Sequence, residues 1–373
     1  METPGTIKLS ASARVCFVLV SLYIGFELLV VARGLLIPLA FSLLLALLLY
    51  PMCKWFELRK FPRALSILIC MALSLSVLSL VVILIINELT SFSGELGDIS
   101  TNINILLNDL QLRIQQYVRL SPEHQLDWLN KRLGEQLEGG ESFIKPAFQA
   151  TSGFVTGVLL VPVYIFFLLY YRDFFKEFFF RVNAPERHEQ IGLMLAKIQR
   201  VVMSYLVGLV TVMSIVAVLN LIGLLIIGVN HAVFFALVAA LLAMIPYLGV
   251  FIGSMLPVIY TLAMSGSWVD PLLVFAWFTG VQTIEGNLIS PNIIGSKVSM
   301  NPMVAIVALL VGAQVWGVAG MVTFVPFAAI LKVIMDQIED LQPYGLLLGA
   351  EHKSLQFKDI FRNIRSKYIS GQR

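Results

Sequence analysis

The sequence predicts an all-α, polytopic membrane protein with about eight transmembrane segments, broken or re-entrant helices among them, and a small helical module outside the membrane. Three observations carry that prediction. Of the 373 residues, 58% are hydrophobic and only 13% charged, against about 25% charged in a soluble domain. Apolar runs of about 18 residues or more, enough to cross a bilayer, recur along the chain. Between Arg200 and Asp270 there is no Asp, Glu, Lys or Arg, so that stretch must fold back on itself inside the membrane. A net charge of +3 is too small and too dispersed for a nucleic-acid partner. The lipid bilayer is the first partner the composition implies.

The first apolar run, Val15 to Val31, follows Lys8 and Arg14. No small-x-small cleavage site closes it, so it reads as a membrane helix and not a signal peptide. A second run, Gly34 to Tyr50, pairs with it as a tight hairpin. The loop that follows holds Lys54, Arg59, Lys60 and Arg63 against Glu57, which makes it cytoplasmic by the positive-inside rule and the N-terminus with it. The third run spans Ala64 to Ile86, completing an N-terminal unit over residues 1–87.

Residues 88–150 are the one sizeable polar segment, rich in Glu and Asp. Ile103, Leu106, Leu107, Leu110, Ile114 and Val118 repeat at helical spacing. A second amphipathic helix begins after Ser121-Pro122, a cap followed by proline at the first helical position. After three spans this module lies on the outer side. A fourth run, Gly153 to Tyr171, and the mildly basic connector Arg172 to Arg200 occupy residues 151–200. The core, residues 201–331, holds runs at Val201–Ile227, Ala232–Leu262, Pro271–Ser290 and Pro302–Leu331. Pro246, Gly249, Gly253 and Pro257 mark a broken helix within it. Residues 332–373 form a basic cytoplasmic tail whose segment from Lys358 has the pattern of an interfacial helix.

Chemistry points first to Glu285. It lies deep in an apolar run, where a charge costs about 3 kcal/mol or more. Gln282, Glu285 and Asn292 share one helical face, and Pro291 is expected to stop the helix before that face is complete. A carboxylate beside Asn287 and the other amides, at a helix break, is how secondary transporters build cation and substrate sites. The alternative is a protonated glutamate that serves as structural glue between helices. Glu27 is a secondary candidate, equally well explained as a snorkelling surface group. Asn220, Ser204, Thr211, Ser214 and Gln314 are individually weak signals, and histidine offers little. Cys16, Cys53 and Cys70 have no metal-ligand spacing, and no hydrolase, zinc or P-loop pattern occurs. The expectation is therefore no enzyme, no metal and no cofactor, with any uphill transport coupled to H+ or Na+.

The run Pro246-Tyr247-Leu248-Gly249, Gly253 and Pro257, then Glu285-Gly286-Asn287, Pro291, Gly295, Val298, Asn301-Pro302, Gly312, Gly317, Gly320 and Pro326, resembles the autoinducer-2 exporter family of bacterial permeases. The layout of the chain is similar over nearly its whole length. The resemblance implies a multi-pass transporter of the bacterial inner membrane that forms a homo-oligomer, with a pentamer as the suggested number. Many members carry His where this chain has Asn301. Members export autoinducer-2 or other small metabolites, and some are sodium or lithium/proton antiporters. Three readings follow: an exporter of a small polar metabolite coupled to protons or sodium, a monovalent-cation/proton antiporter, and a membrane scaffold that transports nothing.

Overall fold

In a computed structural model the described residues, 10–117, 157, 159–245, 248–295 and 300–349, are almost entirely helical. Helices α1 (Ala11–Val31) and α2 (Arg33–Leu58) are separated by Ala32 alone. The Ala32 N–H donates back to the Leu28 carbonyl at 2.9 Å, and the Leu35 N–H donates to the Ala32 carbonyl at 3.0 Å. The expected hairpin is thus a bend, because a reversal needs a connection of about 2–5 residues. Helix α3 (Arg63–Tyr117) runs unbroken for 55 residues, about 80 Å, from the third apolar run into the polar segment. The helix expected after Pro122 and the tail helix from Lys358 lie outside the described residues.

Helices α4 (Leu159–Tyr170) and α5 (Arg172–Val182) close the N-terminal half. The Ser42 hydroxyl donates to the Val161 carbonyl at 3.1 Å, tying α2 to α4. Arg63 donates to Asp173 at 2.8 Å and to the Leu169 carbonyl at 3.1 Å, while Arg172 pairs with Glu57. These bonds put the basic loop and the start of the charged connector at one end of the bundle. Phe174 and Phe178 on α5 are exposed, as membrane-interface aromatics would be.

Helix α6 (His188–Ile227) ends at Gly228, whose φ of 84° is left-handed. The Gly228 and Val229 N–H groups both donate to the Leu224 carbonyl, at 3.0 and 2.9 Å, closing the helix as a C-terminal glycine does. Helices α7 (Ala232–Leu242) and α8 (Leu248–Met264) form a tight hairpin. A Cβ on Gly253 would lie 2.9 Å from Ala239 Cα, and one on Gly249 would lie 1.6 Å from the Leu242 carbonyl oxygen. Helix α9 (Val269–Ile284) continues into two π-helical turns, Glu285–Ile289 and Pro291–Gly295. Helices α10 (Pro302–Trp316) and α11 (Val318–Gln337) reverse at Gly317, φ 60°, and α12 (Gln342–Leu348) follows. The core of this half packs Phe235, Tyr260, Val274 and Leu224 from α6 to α9.

The span number needs correction. Among the described residues five helices are long and apolar enough to cross a membrane, within Arg33–Leu58, Arg63–Ser91, Pro185–Ile227, Val269–Ile294 and Val318–Gln337. The other apolar helices are shorter. Two of the expected apolar runs fold back as hairpins: Ala232–Leu262, expected to be a broken helix, and Pro302–Leu331, expected to be a single span. At 11 residues α7 is about 16 Å long, half the roughly 30 Å of a hydrocarbon core.

Candidate functional site

Helices α6 to α9 line a half-open cavity of about 700 Å³. Val216 and Asn220 of α6 form one wall, Ala239 and Ala243 of α7 another, and Val250, Phe251 and Ser254 of α8 a third. The last wall is the end of α9, from Phe278 through Gln282 and Thr283 to Glu285. Glu285 is the one charged residue in that lining.

Both Glu285 oxygens are held. Gln282 Nε2 donates to Oε2 at 2.7 Å, and the Ser290 hydroxyl donates to Oε1. Gln282 stands one turn earlier at helical spacing. Ser290 is five residues on, and it reaches because the backbone widens there into a π turn, with the Ser290 N–H donating to the Glu285 carbonyl. Such local widenings concentrate at functional sites. The expected break after Glu285 is therefore a widening: helical hydrogen bonding continues up to and past Pro291, which opens the second π turn.

That geometry divides the expected site residues. Gln282 and Glu285 line the cavity. Asn287 and Asn292 are exposed and donate to their own helix, Asn287 Nδ2 to the Thr283 carbonyl at 2.8 Å and Asn292 Nδ2 to the Leu288 carbonyl at 2.7 Å. Pro291 is exposed as well. Pro246 and Tyr247 lie outside the described residues. Gly249 and Gly253 face α7, and Pro257 is buried inside α8. Glu27 is exposed on α1, which packs against α2 and α10 and away from the cavity walls. Asn301 caps α10, its Oδ1 accepting from the Met303 N–H at 3.0 Å.

Asn220 is the residue whose weight sequence reasoning underestimated. It is 3% exposed, it lines the cavity, and its Oδ1 has no hydrogen-bond partner, which is costly for a buried acceptor. Ser290 was also missed, since its reach depends on the π turn. The hydroxyls of Ser254, Thr279 and Thr283 donate to carbonyls three or four residues back, as such groups in apolar helices commonly do.

One turn along α6 from Asn220, Gly223 leaves room for the Trp277 ring, whose Nε1 donates to the Leu219 carbonyl at 3.1 Å. A Cβ at Gly223 would lie 2.0 Å from that nitrogen. Gly223→Ala should therefore lower stability by about 1–3 kcal/mol through overpacking. A thermal melt in detergent, with tryptophan emission shifting red as the ring is displaced, would measure it.

Residues 14–340 match the family model described as AI-2E family transporter. The chain belongs to the AI-2E transporter family. It is similar to YhhT of Escherichia coli (strain K12), 26% identical over 94% of this chain and 97% of that one. YrrI of Bacillus subtilis (strain 168) is 25% identical over 82% of this chain and 87% of its own. The AI-2 transport protein TqsA of Escherichia coli (strain K12) is 24% identical over 86% of this chain and 91% of its own. This AI-2E protein is thus a multi-pass membrane transport protein of a permease family, not an enzyme. Membership alone leaves the cargo open.

Proposed function

We propose that this protein exports a small polar metabolite, autoinducer-2 or a solute of similar size, across the bacterial inner membrane, drawing on a proton or sodium gradient. The observation that carries the reading is the cavity. Its volume of about 700 Å³ falls within the roughly 300–1,000 Å³ of small-molecule sites, and its apolar walls hold one carboxylate and one buried acceptor without a partner. A bare monovalent cation needs no such volume. Two donors already sit on Glu285 and occupy oxygens that a bound cation would need. These points favour the exporter over the antiporter and over a scaffold.

In this reading the basic loop and both termini face the cytoplasm. The apolar span of α3, only 6% buried, is open to lipid or to a neighbouring copy, which supports a homo-oligomer such as the pentamer the family resemblance implies.

The test is to fill the cavity. Ser254→Trp, reconstituted in proteoliposomes with an imposed proton or sodium gradient, should reduce autoinducer-2 transport roughly tenfold or more, since the indole would occupy cavity volume that the solute must use. Its melting behaviour should stay close to that of the parent. Transport at the parental rate in a folded Ser254→Trp protein would reject this cavity as the route.

A further inference from the structure

Away from the cavity, the turn between α6 and α7 places His231 between two carboxylates of α3. Glu88 Oε2 lies 3.1 Å from His231 Nδ1, and Glu95 Oε1 lies 3.2 Å from Nε2. Glu88 and Glu95 are seven residues apart, two turns of one helical face, and the imidazole spans the interval. The Tyr260 hydroxyl of α8 donates to Glu95 Oε2 at 2.8 Å, and its ring meets the imidazole edge to face. Residue 231 itself is in the left-handed region, φ 56°, uncommon for a non-glycine residue.

A neutral imidazole has one N–H and one lone pair, whereas an imidazolium donates from both nitrogens. With an acceptor-only carboxylate at each nitrogen, only the protonated ring satisfies both contacts. We propose that His231 is a proton-binding site, separate from Glu285, whose charged form latches the α6–α7 turn and the root of the α7–α8 hairpin to α3. The hairpin walls the cavity through Ala239, Ala243 and Ser254, so loss of this proton frees one wall at its base. Water reaches the site: the His231 side chain is 12% exposed and the two carboxylates 33% and 31%.

Among the described residues the titratable groups facing the ring are Glu88 and Glu95 from α3 and Tyr260 from α8. Asp270, at the start of α9, lies across the small neighbouring cavity lined by Asn230 and Tyr260. Burial works against the imidazolium, yet the hydrogen bonds and charges of Glu88 and Glu95 outweigh it and hold the His231 pKa above its ordinary value. The Tyr260 hydrogen bond, opposed by burial and aided by His231, holds Glu95 below the usual carboxylate range. A raised histidine pKa gives a contact that is complete below about pH 6.5 and lost as pH rises through the folded value. The Glu95 contribution is lost only at acid pH, as that carboxylate takes up its proton.

The experiment is a histidine-13C NMR titration of the full chain in nanodiscs, the His231 signal being assigned by elimination with His124→Gln, His188→Gln and His352→Gln. The midpoint should lie above about 6.5 and fall by roughly one pH unit in Glu88→Gln. Hydrogen exchange over residues 228–236, corrected for the intrinsic base-catalysed rate, should lose protection roughly tenfold between about pH 6 and about pH 9. In His231→Gln that loss should be absent. A midpoint at or below 6.5, a midpoint unmoved by Glu88→Gln, or protection that stays flat with pH would overturn the proposal. Should His231→Gln fail to fold, the Glu88→Gln titration decides.

Discussion

Glu285→Gln should leave a folded transporter that no longer accumulates its solute. The two side chains are nearly isosteric, and the donors around position 285 can adapt. The Gln282 amide can turn to offer its oxygen, and the Ser290 hydroxyl can rotate to accept. The cost to stability is then about 1 kcal/mol, the value of an ordinary hydrogen bond. What the glutamine cannot do is change charge. A gradient of about 100 mV supplies roughly 2.3 kcal/mol per charge, enough for about fiftyfold accumulation. With coupling removed, the ratio should fall toward one, while exchange of labelled for unlabelled solute across the same liposomes continues. Equal accumulation by the parent and by Glu285→Gln would remove this carboxylate from the mechanism and leave it as a structural hydrogen-bond acceptor.

That Glu285 stands out in the sequence while Asn220 does not has one cause. A carboxylate inside an apolar run is costly enough to stand out whatever surrounds it, so the sequence alone marked position 285. An amide is cheap when a neighbour satisfies it and informative only when none does, and partners are a property of packing. Ser290 illustrates a second limit. At α-helical spacing it would point away from Glu285, and only the π turn brings it within reach. For the same reason the face expected to join Asn292 to Gln282 and Glu285 is not provided by the backbone. His231 was passed over because its partners on α3 are 143 and 136 residues away in the chain.

The hairpin at Gly317 is hidden from the sequence for a different reason. Hydropathy measures how apolar a run is, and a reversal between two apolar helices leaves that average unchanged. Pro302–Leu331 reads as a single span although it turns in the middle, whereas in Ala232–Leu262 the prolines and glycines already point to a broken helix. The glycines and prolines that mark the turns were visible, and the all-helical class and the polytopic layout were legible from composition. The reversal itself had to be seen in which backbones touch.

The hairpin at Gly317 leads to the largest expected loss of stability. A Cβ on Gly320 would lie 1.9 Å from the Gly312 carbonyl oxygen and 2.5 Å from its carbonyl carbon, and one on Gly312 would lie 2.4 Å from the Gly320 carbonyl oxygen. Backbone sits on both sides of the contact, so no side chain can swing away, and Gly320→Ala must separate α10 from α11. The consequences spread, because the Trp316 indole at the tip of α10 donates to the Leu29 carbonyl at 2.9 Å and holds α1. The Asn301 N–H at the base of α10 likewise donates to the Leu348 carbonyl at 2.9 Å and holds α12. We expect a cost of about 3 kcal/mol or more, beyond ordinary overpacking, seen as a fall of roughly 4 °C or more in the thermal midpoint. Gly280→Ala is the control, since a Cβ there meets nothing within 4 Å and alanine in a helix interior gains up to about 1 kcal/mol over glycine. If both variants melt with the parent, the close contact of α10 and α11 is not what these glycines provide. If only Gly320→Ala falls, then Gly312 and Gly320 belong to the construction of the hairpin, and the signature run divides into residues that build the scaffold and the one carboxylate, Glu285, that faces the cavity.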